Sequence, residues 1–141
     1  MTAASDPDCL FCRIVAGQIP SRRVYEDADA VAFLDVAPLH RGHTVIVPRR
    51  HVPDGTGDAA AWAEVAPAVV AVCGAAKDKL HAPGVNILSN AGEVAGQSVF
   101  HFHLHVIPRY DANPGIPGLS RRDADPSPEE LDSVAKEMTA A

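Results

Sequence analysis

Residues 101–109 of the chain read HFHLHVIPR and place three histidines at alternate positions, out of seven in the 141-residue sequence. Successive side chains of a β-strand point to opposite faces, so His101, His103 and His105 are predicted to share one face. The apolar residues between them predict that the opposite face packs on a core. A lone histidine on a strand is usually a hydrogen-bonding residue. Three in strict alternation favour a metal site, a proton relay or a nucleophile in a cationic environment.

The rest of the chain predicts an α+β fold with one antiparallel sheet. Apolar residues at helical spacing end at Gly17, and β-branched and aromatic runs follow with connections short enough to make neighbouring strands antiparallel. The predicted helices cover 9–16, 58–80 and 127–138, and the predicted strands cover 22–27, 30–36, 43–48, 84–90 and 102–108. This order of helices and strands is typical of α+β domains.

The central and C-terminal helices carry recognisable start signals. Asp58 is a predicted N-cap, while Pro67 inside the central helix predicts a kink or two consecutive helices. Ser127, Pro128 and Glu130 form a capping box with proline at the first helical position. The stretch from Asp111 to Pro126 is predicted to be a loop.

The composition is that of one globular domain, with 47% hydrophobic and 21% charged residues. A net charge of −6 argues against nucleic acid as a partner, although a small anionic ligand is compatible with it. The N-terminus is polar, and the apolar run at 65–76 is too short to span a bilayer and contains proline and glycine, so no membrane partner is expected. Three cysteines, an odd number, favour a reduced cytoplasmic protein.

The histidine stretch resembles the signature of the histidine triad (HIT) family. The segments CLFCRI, YEDADAVAFLDVAPLHRGHTVIVPRRH, NAGEVAGQSVF and HFHLHVIPR are similar to HIT proteins in order and spacing, over roughly residues 9–110. The C-x-x-C at Cys9 and Cys12 is similar to a bacterial subgroup related to purine nucleoside phosphoramidases and dinucleoside polyphosphate hydrolases. The resemblance implies a HIT-like fold in one domain, 1–141, whose core ends at 110, and a homodimer in which a second copy continues the sheet.

The resemblance also implies a reaction. In HIT proteins the middle histidine, here His103, attacks the α-phosphate of a nucleotidyl substrate and forms a covalent nucleotidyl-histidine, which water then hydrolyses. A backbone carbonyl is expected to hold the proton on the other ring nitrogen of His103. His105 is expected to donate to the phosphate oxygens and Ser98 to the leaving group. The expected activity is hydrolysis or transfer at a purine nucleoside 5′-phosphoramidate or related AMP-X substrate, with no metal required for catalysis.

Two alternatives stay open at this point. One is a dinucleoside polyphosphate hydrolase, and the other is a nucleotide-binding regulatory protein whose hydrolysis is vestigial. The sequence departs from the phosphoramidase branch after Pro108, because its tail does not match the short C-terminal segment that reaches the partner's active site in that branch. The resemblance therefore does not decide the leaving group.

The expected substrate-binding residues come from the same resemblance. Asp35 matches the position that binds the ribose hydroxyls, and His43 matches a histidine with an orienting role. Asn90 and Gln97 match positions on the phosphate side. The nucleobase pocket is expected to be lined by Phe11, Ile14, Ile19, Phe33 and Val36. From the residues alone, Asp35, Gln97 and Ser98 also fit turn chemistry, and the apolar set also fits core packing.

The stretch Cys9-Leu10-Phe11-Cys12 allows three interpretations. A redox pair of the thioredoxin type belongs in a βαβ context, which this sequence lacks. Two interpretations remain: a pair of ordinary buried thiols, or one half of a tetrahedral zinc site. In the resembling subgroup the further ligands are the residues that correspond to His51 and His101. The resemblance therefore implies a closed Cys2His2 site with structural zinc, which pins the N-terminal helix to the histidine strand.

Overall fold

The computed structural model describes residues 5–111 and 126–140. Its helices are α1 (Leu10–Val15), α2 (Ala59–Asp78) and α3 (Pro128–Thr139). Its strands are β1 (Arg23–Glu26), β2 (Ala30–Leu34), β3 (Thr44–Pro48), β4 (Gly84–Leu88) and β5 (Leu104–Arg109). The strands form one antiparallel sheet in the order β1-β2-β3-β5-β4, which confirms the predicted α+β class. Each helix and strand begins and ends within two residues of its predicted bounds.

The central strands β2, β3 and β5 are buried on both faces of the sheet, because α2 covers one face and α1 covers part of the other. The α2 face holds Ala30, Ala32, Ile46, Val65, Phe102, Leu104 and Val106, and the α1 face holds Phe11, Ile14, Val31, Phe33, Val45 and Val47. Strand β2 contributes alternate residues to the two clusters, which explains why its sequence is a continuous apolar run.

The histidine strand begins later than predicted, at Leu104, so His101 and His103 precede the regular strand. The ladder between β3 and β5 covers Thr44–Ile46 against Leu104–Val106 and stops before Pro48, which has no backbone N–H to donate. The alternation nevertheless continues beyond the ladder. Phe102 and Leu104 join the α2 face, and the histidines turn toward the α1 face.

Helix α2 is one element of 20 residues that runs through Pro67, so the two-helix alternative is wrong. Asp58 caps it by accepting a hydrogen bond from the Ala61 N–H at 3.0 Å, as predicted. The buried residues Ala61, Val65, Ala68, Val72 and Ala76 form one stripe on the sheet. By length and composition the complete helix could cross a membrane, unlike the run at 65–76 taken alone. In this structure its five-residue stripe packs on the sheet.

The chain divides into two compact units, Met1–Tyr110 and Asp111–Ala141. In the second unit, Ser127 caps α3 by accepting a hydrogen bond from the Glu130 N–H at 3.1 Å, in agreement with the predicted capping box. Most of the predicted loop between Asp111 and Pro126 lies outside the described residues. The assignment of the whole chain to a single domain stays a prediction.

Replacing Phe102 by alanine should destabilise the protein strongly. The Phe102 side chain is 1% exposed and packs against Trp62 with ring centroids 4.9 Å apart. Truncation of such a ring typically lowers the free energy of unfolding by about 3–5 kcal/mol. Val70→Ala is the control, because Val70 is 72% exposed and its loss should change stability by less than about 0.5 kcal/mol. Chemical denaturation at one protein concentration tests both, and equal stabilities would contradict the position of Phe102 in this core.

Candidate active site and metal centre

His103 is held in one tautomer by the backbone. Its ring Nδ1 lies 2.7 Å from the His101 carbonyl oxygen, which can only accept, so Nδ1 carries the proton and Nε2 keeps its lone pair. The Ser89 hydroxyl donates to the His103 carbonyl at 2.6 Å, and the Phe11 ring packs against the imidazole with centroids 4.9 Å apart. The residue is therefore fixed through its ring, its backbone and its packing.

His43 and His105 form a second chain with a defined direction. The Leu39 N–H donates to His43 Nδ1 at 3.1 Å, which places the His43 proton on Nε2. His43 Nε2 lies 2.9 Å from His105 Nδ1, so His43 donates and His105 accepts. The proton of neutral His105 is then on Nε2. One face of the site thus offers a lone pair on His103 and an N–H donor on His105, whose ring centroids are 5.1 Å apart.

Burial keeps these imidazoles neutral. Desolvation lowers the pKa of His103. It also lowers the pKa of His105 to about 4, with further lowering by His103 and His43. Desolvation lowers the pKa of His43 as well, against the opposing effect of the Asp35 carboxylate. Neutral rings are what the two hydrogen-bond chains require, since a doubly protonated imidazole has no lone pair with which to attack or accept.

Asp35 lies beside the same ring nitrogen of His43 that faces His105. One carboxylate oxygen accepts a hydrogen bond from the Ala37 N–H at 2.8 Å, and the other lies 3.6 Å from His43 Nε2, beyond hydrogen-bond distance. By distance alone Asp35, His43 and His105 could ligate a metal ion. The Leu39 N–H argues against this arrangement, because it places the His43 proton on the nitrogen that would have to bind the ion. The hydrogen-bonded relay therefore consists of His43 and His105, with the Asp35 carboxylate as a neighbouring charge.

The second cluster joins α1 to the start of the histidine segment. Cys9 is the N-cap of α1. His101 is completely buried; its Nε2 donates to the Pro48 carbonyl at 2.8 Å, which leaves the Nδ1 lone pair 3.5 Å from Cys9 Sγ and 3.4 Å from Cys12 Sγ. His51 Nδ1 lies 3.4 Å from Cys12 Sγ. The four predicted ligand atoms lie within 4.8 Å of one another.

The donor chemistry and spacing of this cluster fit zinc. Zn–S bonds of about 2.3 Å and Zn–N bonds of about 2.0–2.1 Å at tetrahedral angles place sulfur and nitrogen about 3.5 Å apart. The observed separations are 3.4–3.5 Å. Two sulfurs and two imidazole nitrogens complete a tetrahedron without an open position, as structural zinc sites require. The predicted ligands Cys9, Cys12, His51 and His101 are therefore brought together.

The residues predicted to contact the phosphate have different surroundings. Gln97 is buried and its amide is used within the protein: Oε1 accepts from the Gly92 N–H at 2.8 Å, and Nε2 donates to the carbonyls of Pro53 and Val99 at 2.7 and 3.1 Å. Through this bonding the Gln97 amide shapes the loop, while its contact with the phosphate stays a prediction. Asn90 is half-buried, with its amide against Gly96.

The remaining predicted residues divide between core and surface. Phe11, Ile14 and Phe33 are buried in the α1-face cluster, and Ile19 packs at its border. Val36 is 88% exposed, because β2 ends before it at Leu34, and its place in the nucleobase pocket stays a prediction. Ser98 is exposed and lines a cavity of about 510 Å³ beside Cys9 and His51.

Three groups that organise the site were not found from the sequence: the Ser89 hydroxyl, the Leu39 N–H and the Pro48 carbonyl. Two of them are backbone atoms, which carry no sequence signal. The polar Ser89, directly after the apolar β4, was the one available indication.

The sequence matches the family model of the HIT domain over residues 16–112. A solved structure of a HIT family member from Bacillus subtilis is 39% identical, with a TM-score of 0.83 over 93% of this chain and 94% of the other. A Zn-bound histidine triad family protein from Mycobacterium smegmatis is 38% identical, with a TM-score of 0.69 over 95% and 98%. A HIT family hydrolase from Clostridium thermocellum is 28% identical, with a TM-score of 0.69 over 79% and 99%.

The hydrogen-bond chains predict the tautomers of three rings. At pH 7, His103 should carry its proton on Nδ1, whereas His43 and His105 should carry theirs on Nε2. Two-bond ¹H–¹⁵N correlation spectra distinguish these forms. His43→Ala should leave the His103 pattern unchanged and convert the single His105 tautomer into a mixture. An unchanged His105 pattern in this variant would contradict the relay.

Proposed function

The chain belongs to the HIT family, and from this membership and the geometry of its histidines we propose a nucleotidyl hydrolase or transferase that acts at the α-phosphate of a purine nucleoside 5′-phosphoramidate or a related AMP-X substrate. The observation that supports this most directly is the 2.7 Å hydrogen bond from His103 Nδ1 to the His101 carbonyl. It leaves a neutral, directed Nε2 lone pair, which is the requirement for an imidazole nucleophile.

In the first step, the Nε2 lone pair of His103 attacks the α-phosphorus. A nitrogen–phosphorus bond forms, and the bond from phosphorus to the leaving group breaks. The leaving amine departs with a proton delivered through Ser98, as the family match implies. The N–H of His105 donates to the non-bridging oxygens, where negative charge accumulates in the transition state. His43 holds the ring of His105 in the tautomer that donates through Nε2, so His43 contributes to the reaction by positioning the proton of His105.

In the second step, water attacks the phosphorus of the nucleotidyl-histidine and the nitrogen–phosphorus bond breaks. The water gives up one proton, which replaces the one that passed through Ser98 to the leaving amine, and AMP is released. His103 regains its Nε2 lone pair, and its Nδ1–H still donates to the His101 carbonyl. Splitting one displacement at phosphorus into two steps is the benefit of a covalent intermediate.

The proposed substrate contacts follow the family pattern. Asp35 binds the ribose hydroxyls with lone pairs that remain beside its bond to the Ala37 N–H. Asn90 lies on the phosphate side, and Gln97 holds the loop there through its bonds to Gly92, Pro53 and Val99. The purine lies against the edge of the buried cluster of Phe11, Ile14, Ile19 and Phe33, with the exposed Val36 at the rim of the pocket.

The Cys2His2 cluster is proposed to hold a structural zinc ion through Cys9, Cys12, His51 and His101. The cysteines are free thiols, and the similar Mycobacterium smegmatis protein is Zn-bound. Bound zinc supplies a cross-link between α1 and the histidine segment. Since the carbonyl of His101 fixes the tautomer of His103, this cross-link would also stabilise the nucleophile's orientation.

The proposed assembly is a cytoplasmic homodimer that binds a small nucleotide. Strand β4 lies at one end of the sheet order and pairs only with β5 among the described strands, so its outer edge is available to continue the sheet with a second copy. The half-exposed Ile87 on this strand agrees with such an interface. Three free cysteines agree with a reducing compartment.

Substitution of the nucleophile should abolish turnover. We expect His103→Ala to lower AMP release from adenosine 5′-phosphoramidate by at least about 10³-fold, because the covalent route is lost. His81→Asn is the matched control, since His81 is exposed with a left-handed backbone that asparagine tolerates. Chromatography of released AMP measures both, with folding checked by circular dichroism.

Equal release from wild type and His103→Ala would overturn the mechanism. No release from wild type would overturn the phosphoramidate assignment, and diadenosine polyphosphate would then be the next substrate. If that also failed while AMP still bound, the protein would be a nucleotide-binding protein.

Zinc content should depend on Cys12 and not on Cys73. Wild type is expected to hold about one zinc ion per chain by atomic emission. Cys12→Ser should lose most of it and lower the melting temperature by at least about 5 °C, because metal binding contributes folding free energy. Cys73→Ser, which alters a half-buried thiol of α2 outside the cluster, should keep the metal. Stoichiometric zinc in Cys12→Ser would contradict the assignment.

A further inference from the structure

A second cavity, of about 620 Å³, lies on the α2 face of the sheet, away from the histidines. Its walls are the C-terminal half of α2 and strands β1, β2 and β3, with Tyr25, Leu34, Thr44 and Ala75 among the lining residues. The histidines lie on the α1 face, so the sheet separates the two sites. The volume is within the range of about 300–1,000 Å³ typical of small-molecule sites.

The cavity exists because the helix presents small residues to it. Ala71, Ala75 and Ala76 line it from α2, where larger side chains would close the space. On the opposite side a Cβ at Gly42 would lie 2.5 Å from the Leu80 side chain, so Gly42 allows the loop to approach Leu80 at the cavity wall. The result is an apolar space that the side chains of residues 5–111 and 126–140 leave unfilled.

The polar side chains that line the cavity differ in whether they already have hydrogen-bond or ion-pair partners. The Tyr25 hydroxyl donates to Asp27 at 2.8 Å, and the Thr44 hydroxyl donates to the Gly42 carbonyl at 2.9 Å, so both are satisfied. The side chains of Arg41 and Lys79 make no hydrogen bond or ion pair within residues 5–111 and 126–140. An apolar space with two unpaired cations is complementary to an apolar ligand with an anionic group.

We propose that this cavity binds a free aliphatic carboxylate of medium chain length, with the alkyl chain against Leu34, Val72 and Ala75 and the carboxylate at Arg41 and Lys79. The site is separate from the proposed nucleotide chemistry, because no residue assigned to that chemistry lines it. Filling it should therefore leave hydrolysis of a nucleotidyl substrate unchanged.

The first experiment titrates the full chain with decanoate and follows the methyl resonances of Val24, Leu34 and Val72 by NMR, with calorimetry for the dissociation constant. Wild type should show saturable shifts of these methyl groups. Ala75→Phe should weaken binding at least about 10-fold by occupying the space. Ala66→Phe is the matched control, since Ala66 is also an exposed alanine of α2 but does not line the cavity. It should bind as wild type does.

The second experiment tests the charge. Arg41→Gln and Lys79→Gln should each weaken decanoate binding about 3- to 5-fold, the usual effect of a partly exposed ion pair. Lys77→Gln, in the last turn of α2 but outside the lining, should have no effect. Decanol, which has the same chain without the charge, should bind more weakly than decanoate to wild type and equally to wild type and the two glutamine variants.

Several results would overturn the proposal. Absence of saturable shifts in wild type, or equal binding by Ala75→Phe, would exclude this cavity as the site. Equal affinity for decanol and decanoate would exclude recognition of the anion. If decanoate did not bind and Ala75→Phe changed the sedimentation from dimer to monomer, the cavity wall would be an interface between copies.

Discussion

One buried imidazole connects the parts of this molecule that carry chemistry. His101 donates through Nε2 to the carbonyl of Pro48, at the end of β3, and turns Nδ1 toward the sulfurs of Cys9 and Cys12. Its own carbonyl accepts the proton of His103. The sheet, the thiol cluster and the proposed nucleophile therefore share a single residue. His101 contacts Pro48 through Nε2, the two sulfurs through Nδ1 and His103 through its carbonyl oxygen. Because the three connections use three different atoms, they do not compete.

Burial on both faces of the sheet has a chemical result as well as a structural one. A sheet with one wet face would leave the histidines near their usual pKa and free to exchange tautomers. Here desolvation lowers the pKa of His43, His103 and His105. Backbone groups then select the tautomers of His103 and His43, and the ring of His43 selects that of His105. The core that stabilises the fold thus also sets the protonation state of the site.

The alternation of histidines with apolar residues was sufficient to predict the two faces of the histidine segment, and the short connections were sufficient to predict antiparallel strands. The start of β5 was not predictable, because it depends on Pro48, which is distant in sequence. Gln97 and Val36 show the same limit. The sequence does not reveal that the Gln97 amide is bonded to Gly92 and Pro53, or that β2 ends at Leu34 and leaves Val36 exposed.

Helix α1 has only six residues, and isolated helices of that length are unstable in water. It is held by contacts such as Cys12 to His101 and Cys9 to His101, which join residues 89 and 92 positions apart in sequence. Closing so long a loop has a large entropic cost and requires the sheet to be in place. The position of α1 therefore depends on the sheet. The ring of His103 packs against Phe11 of that helix, so its surroundings are complete only when α1 is docked.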